Sequence, residues 1–221
     1  MNRLNPWYTP PAVPRLSRRG YWLFTAFLCV TLLLIGHQYF QRFLYLDPCE
    51  YCVYVRLAFL ALALVALFGA WRPGVRWMRN LSTAAAAWVA GYGVKVSWAL
   101  CTVVWVKRFP EVKDWFSTTA CTLTPHFPWG LELHHVSRSW FQPRALCGFE
   151  VPHVPPYEHL TGVRAFLVGL VEQDGGWYLF PGLKWITMGD ISLLIFTILF
   201  VGFTYALYKE TRRFLKRAEV Y

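Results

Sequence analysis

The chain has 221 residues, of which 56% are hydrophobic, 19% aromatic and 15% charged. Soluble domains carry about 25% charged residues and about 45–50% apolar ones, so this composition excludes an ordinary water-soluble fold, and its aromatic bulk excludes a disordered chain. The formal net charge of +10 would point to nucleic acid in a soluble protein; here its meaning depends on where the charges sit.

A bilayer core about 30 Å thick is crossed by ~20 apolar residues in a helix. After a tail of residues 1–20, residues 21–40 form a first such segment and carry no charge. Arg15, Arg18 and Arg19 precede it as they would a signal peptide. It ends, however, in Gln38-Tyr39-Phe40, not in a small-residue cleavage site, so it is expected to be retained. A short link, 41–52, leads to a second segment at 53–71, charged only at Arg56. The link 72–80 leads to a third at 81–106, charged only at Lys95. A long loop, 107–185, then precedes the fourth, 186–208, charged only at Asp190, and a tail of 209–221. Apolar residues occur all round each segment, which suits solvation by lipid. The expectation is one all-α polytopic membrane domain, a four-helix bundle.

The tails and the 72–80 link hold twelve basic and two acidic residues, and the rest of the chain is balanced. The charge is therefore an orientation signal. The positive-inside rule places both termini and the 72–80 link in the cytoplasm, with 41–52 and 107–185 on the other side of the membrane. No nucleic-acid partner is expected; the partner of this surface is the bilayer. Within the long loop, residues 160–171 are apolar but too short to cross. They read as a short interfacial helix, with Trp177, Tyr178 and Trp185 anchoring the return to the membrane.

Cys29 and Cys101 fall inside spans, where a thiol acts as a small apolar residue. Cys49, Cys52, Cys121 and Cys147 all fall on the exported side, where an even number suggests disulfides. Four cysteines allow three pairings. The expected resting set is Cys49–Cys52 and Cys121–Cys147. Cys52 sits at a helix N-terminus, where free amides and the helix dipole stabilise a thiolate. Arg56 follows it on the same face, one turn on.

A CxxC pair can also bind zinc, with His126, His134, His135, His153 and His159 as further donors. A structural zinc site commonly uses two such pairs, whereas Cys121 and Cys147 are 26 apart. A c-type haem needs CxxCH, and Val53 follows Cys52. A purely structural bridge would have no long loop to staple here.

The stretch Tyr39-Phe40-Gln41, then Leu46-Asp47-Pro48-Cys49-Glu50-Tyr51-Cys52-Val53-Tyr54-Val55-Arg56, resembles the DsbB family of bacterial disulfide-bond formation proteins. The long second loop is most similar to the DsbI branch. The resemblance implies an inner-membrane thiol oxidase that reoxidises a periplasmic thioredoxin-fold partner, DsbA-like or DsbL-like. In that scheme the partner attacks Cys121. Cys147 then passes the oxidising equivalent through a bond with Cys49, and Cys52 faces a membrane quinone, ubiquinone or menaquinone, beside Arg56. Departures from the family pattern are Val55 before the arginine, Lys107 and Arg108 where the family has a histidine, and Lys95 in the third span. Lys95 reads either as a snorkelling lysine or as a cation near the quinone tail or paired with Asp190. The competing class is a non-catalytic membrane scaffold, or a metal-binding protein, whose loop disulfides are structural.

Overall fold

The computed structural model describes residues 15–71, 75–109, 121–148, 151–156 and 158–218. Arg3, Arg72 and Glu219 of the charge pattern, and residues 110–120 of the long loop, lie outside the described residues. Four helices are long and apolar enough to cross a membrane: Arg19–Phe43, Glu50–Trp71, Trp77–Arg108 and Met188–Arg212. The chain is an all-α polytopic membrane protein.

Helix α1 (Arg15–Leu34) continues into a π-helical stretch, Ile35–Phe43. Leu44 N closes that stretch by donating to Tyr39 O, five residues back, at 2.9 Å. Helix α2 (Glu50–Trp71) begins three residues before the expected span, so Cys52 lies within its first turn. It is the most apolar span, with mean hydropathy 2.3, and the most enclosed. Helix α3 (Arg76–Arg108) is longer than the apolar segment inside it, since basic residues at both ends are good helix formers.

Helix α2 packs between α1 and α3, and α3 packs along α7 (Met188–Ala218). Both outer pairs are antiparallel. Gly36 faces Arg56 and Gly69 faces Trp22 across α1 and α2. Cys101 faces Gly189 and Gly93 faces Phe196 across α3 and α7. At Gly93 an added Cβ would lie 2.3 Å from the Phe196 ring, so only glycine permits this approach. The Phe196 ring also stacks on Phe59 of α2, 4.2 Å between centroids. At the end far from the CxxC pair, Arg79 pairs with Glu210 at 2.6 Å. The outer face carries exposed apolar side chains, among them Phe24, Phe27, Trp88, Leu194 and Ile198. That surface suits lipid and not water.

The long loop forms two single-turn helices, α4 (Leu133–Val136) and α5 (Arg138–Phe141), then α6 (Gly162–Asp174). Helix α6 overlaps the apolar stretch 160–171, starting two residues later and ending three residues later. It ends where Gly175 takes φ 71° and Gly176 N donates to Val171 O at 3.0 Å, the left-handed close that glycine favours. Arg164 of α6 fastens it to the first link, donating to Arg42 O and Phe43 O and pairing with Glu158. Beyond α6 the structure differs from a purely helical expectation. Strands β1 (Tyr178–Phe180) and β2 (Trp185–Thr187) pair antiparallel around a Pro181-Gly182 turn, with Gly182 at φ 81°. Trp185 and Tyr178, read as anchors, are the strand residues of this hairpin.

Candidate redox site

Pro48 and Cys49 end the first link, and α2 starts at Glu50. Cys49 thus stands at the cap position: its carbonyl accepts from Val53 N at 3.1 Å, and its sulfur accepts from Cys52 N at 3.2 Å. Cys49 and Cys52 form one disulfide. The helix amide contact thus falls on the Cys49 sulfur, whereas the sequence pointed to Cys52.

Cys121 and Cys147 form the second disulfide. Cys49 and Cys147 are buried in one cluster with Leu100, and Cys52 and Cys121 pack against it. Backbone bonds hold the Cys147 side: Arg144 N donates to Pro48 O at 2.9 Å, and Cys49 bridges to Ala145. Lys107 donates from Nζ to Gly148 O, next to Cys147. Side chains hold the Cys121 side. Glu50 accepts from Thr122 N at 2.6 Å, and the Tyr54 hydroxyl accepts from His126 N at 2.7 Å. Cys29 and Cys101 are free and buried within the helices.

Cys52 opens on a cavity of about 280 Å³, lined by residues of α1, α2, α3 and α7 together with Pro48 and Trp177. That lies near the lower end of small-ligand pockets, roughly 300–1,000 Å³. Its walls are mostly apolar, with Arg56, Asp47 and Ser192 among the polar residues that line it. Arg56 is 7% exposed. It donates to Gly36 O at 3.0 Å, to Gln41 Oε1 at 3.0 Å and to Trp140 O at 3.4 Å. All three acceptors are neutral, and none of the ion pairs among the described residues involves Arg56. A guanidinium buried without a direct ion pair is costly to a fold, and here neutral acceptors hold it at the cavity wall, which Asp47 also lines. Arg56 does not snorkel: it is tied between α1 and α5.

A model of the DsbB disulfide bond formation protein family matches residues 18–206. The chain belongs to the DsbB family. A protein-disulfide oxidoreductase DsbI of Salmonella typhimurium (strain LT2) is 30% identical over 180 residues, covering 81% of this chain and 80% of the relative. A protein-disulfide oxidoreductase DsbI of Escherichia coli O1:K1 is 29% identical over 180 residues, covering 81% of each.

In this DsbB-family chain, Cys52 and Arg56 line the cavity, while Cys49 and Cys147 are buried together beside Leu100. Lys95 is exposed on α3 and does not line the cavity. Asp190 instead accepts from Thr187 N at 2.9 Å and Thr187 Oγ1 at 2.8 Å, which removes the suggested Lys95–Asp190 pair. Among the described residues no three His, Cys, Asp or Glu side chains converge as a metal site. Arg108, at the end of α3, donates to Leu183 O of the hairpin turn at 3.4 Å.

Several site residues escaped sequence reasoning. In the sequence Gln41 stands out only as the last residue of Tyr39-Phe40-Gln41. It bonds Arg56, Ser139 O and His37 together. His37 is buried in α1's π-helical extension and stacks on Trp140 at 4.2 Å. No local signal marks Trp177 as a cavity wall, because its partner Phe40 is far away in sequence.

Proposed function

We propose that the chain is a membrane protein-disulfide oxidoreductase that takes electrons from the dithiol of a periplasmic thioredoxin-fold partner, DsbA-like or DsbL-like, and delivers them to a membrane quinone, ubiquinone or menaquinone. One observation carries this reading: two disulfides share a packed cluster, and one of them opens on a mostly apolar cavity that holds a buried arginine bonded only to neutral acceptors. The basic tails support cytoplasmic termini, and the cysteine loops then belong on the periplasmic side.

The residues suit a quinone head. Arg56 can donate to a carbonyl oxygen, the ring-sized space is apolar, and Ile35 and Ile195 extend the wall for a hydrocarbon tail. A bound quinone supplies a lipid-soluble acceptor for two electrons and two protons. The chain's own steps are thiol–disulfide exchanges. A partner thiolate attacks Cys121 Sγ; a partner–Cys121 bond forms, the Cys121–Cys147 bond breaks, and Cys147 leaves as a thiolate. Cys147 attacks Cys49 Sγ; a Cys147–Cys49 bond forms, and Cys52 leaves as a thiolate in the cavity, where Arg56 favours the negative charge. The partner's second thiolate attacks its own sulfur in the mixed disulfide, which releases Cys121 and an oxidised partner. Cys121 attacks Cys147, restoring their bond and releasing Cys49. The electron pair then rests on Cys49 and Cys52.

The test is quinone reduction by the purified protein in nanodiscs, followed by absorbance. Reduced thioredoxin-fold oxidase should drive it, and Cys121→Ser should abolish it. A Cys121→Ser protein with full partner-driven rates would remove Cys121 from its role.

A further inference from the structure

The residue after Cys49 makes a long-range contact of its own. Glu50 is 9% exposed, and none of the ion pairs among the described residues involves it. Its two carboxylate oxygens are used separately. Oε2 accepts from Thr122 N at 2.6 Å, and Thr122 follows Cys121 directly. Oε1 accepts from the Tyr54 hydroxyl at 2.8 Å. That hydroxyl accepts in turn from His126 N at 2.7 Å, and the Tyr54 ring packs edge-on against Phe127. A carboxylate placed between the two cysteines of the CxxC pair thus grips the backbone of the segment that carries Cys121.

Burial explains why this grip is strong. A carboxylate accepting an amide N–H makes a charge-assisted bond, and away from water such bonds gain strength. Without Thr122 and Tyr54 the Glu50 carboxylate would be buried and unsatisfied, which folds avoid. The Cys147 side needs no such device, because Pro48 O and Lys107 already hold it. The two halves of the second disulfide are therefore held on the first pair by different means, one through backbone and Lys107, the other through Glu50 and Tyr54.

We infer that Glu50 is a positioning residue for transfer between the two disulfides: by binding the Thr122 amide it keeps the Cys121 segment docked on α2, so that exchange between the loops proceeds within one preassembled cluster. This rests on the thiol-oxidase reading above. Reactions between groups held in register gain rate over those that must find each other, so release of the segment slows partner-driven turnover. Quinone reduction fed directly at Cys49–Cys52 does not use the docked segment.

The experiment uses full-length protein in nanodiscs with two drives. In the first, reduced thioredoxin-fold oxidase feeds the intact protein. In the second, dithiothreitol feeds Cys49–Cys52 in a Cys121→Ala/Cys147→Ala background. Glu50→Ala should lower kcat about tenfold in the first, the scale of a lost charge-assisted bond, and leave the second unchanged. Glu50→Gln, which still accepts from Thr122 N, should recover most of the rate. Tyr54→Phe should lower the first several-fold only. Amide hydrogen exchange provides a readout without turnover: Thr122 should lose protection in Glu50→Ala, and His126 in Tyr54→Phe. Unchanged partner-driven kcat in Glu50→Ala, an equal loss in both drives, or Thr122 protection that survives would each overturn the inference. An inactive wild type in the first drive would instead count against the proposed function, with the exchange result still deciding the role of Glu50.

Discussion

Arg56 donates to the side-chain oxygen of Gln41 at 3.0 Å, across the gap between α2 and the π-helical end of α1. The bond holds the one buried guanidinium of the cavity beside Cys52 without neutralising it. Arg56→Ala should therefore raise the apparent KM for quinone about tenfold to a hundredfold, while the rate of mixed-disulfide formation at Cys121 stays unchanged. Steady-state kinetics at varied quinone, with acid-quenched trapping of the mixed disulfide, measure the two separately. Equal loss in both would show Arg56 to be a fold element.

Gln41→Glu is a sharper probe of charge. It keeps the shape and the acceptor but sets a carboxylate against Arg56, and the pair neutralises the guanidinium. The expected result is a well-folded protein with a quinone KM raised several-fold, more than Gln41→Asn. Gln41→Glu also gives up the bond that Gln41 Nε2 donates to Ser139 O at 2.9 Å, which offsets the new ion pair, so thermal unfolding in detergent should shift little.

Gly93→Ala should destabilise the bundle. Its Cβ would meet the Phe196 ring at 2.3 Å, and the ring cannot swing away because it also stacks on Phe59. Overpacking of this kind costs about 1–3 kcal/mol. Phe196→Leu should return part of that loss in Gly93→Ala, measured as the midpoint of thermal unfolding. Additive losses would mean that the two residues do not meet.

Glu158 lies in the long loop, outside the spans. The Tyr45 hydroxyl and then Arg164, 2.8 Å away, hold its carboxyl below the usual carboxylate range. A lowered native value means that the tether is complete above the unfolded value and is lost as pH falls through the lowered one. Protection of the α6 amides, taken relative to the intrinsic exchange rate at each pH, should fall at acid pH in the wild type. Glu158→Gln should show raised exchange at neutral pH and no further acid step.

The parts of this protein visible in its sequence are those governed by one segment at a time. Apolar length marks the four spans, and helical spacing puts Arg56 on the face of Cys52. Gly175 after an apolar stretch marks the end of α6. The hairpin was missed because its strands are three residues long and follow an apolar helix, so no alternation develops. Glu50 was missed for a different reason: its partner is 72 residues away, and a carboxylate between two cysteines has no local signature. Lys95 and Asp190 each read as candidates for a buried pair. Asp190 instead finds its donors three residues back, in Thr187.

The central claim is that electrons pass from Cys121–Cys147 to Cys49–Cys52 through a bond between the loops. The most direct measurement is disulfide mapping through a time course of one turnover with reduced thioredoxin-fold oxidase, without quinone, quenched by acid and alkylated. The expected early species has Cys49 bonded to Cys147, Cys52 free and Cys121 bonded to the partner, and it gives way to a restored Cys121–Cys147 bond with Cys49 and Cys52 both reduced. A product in which Cys121 and Cys147 are both reduced while Cys49–Cys52 stays intact at all times would contradict it.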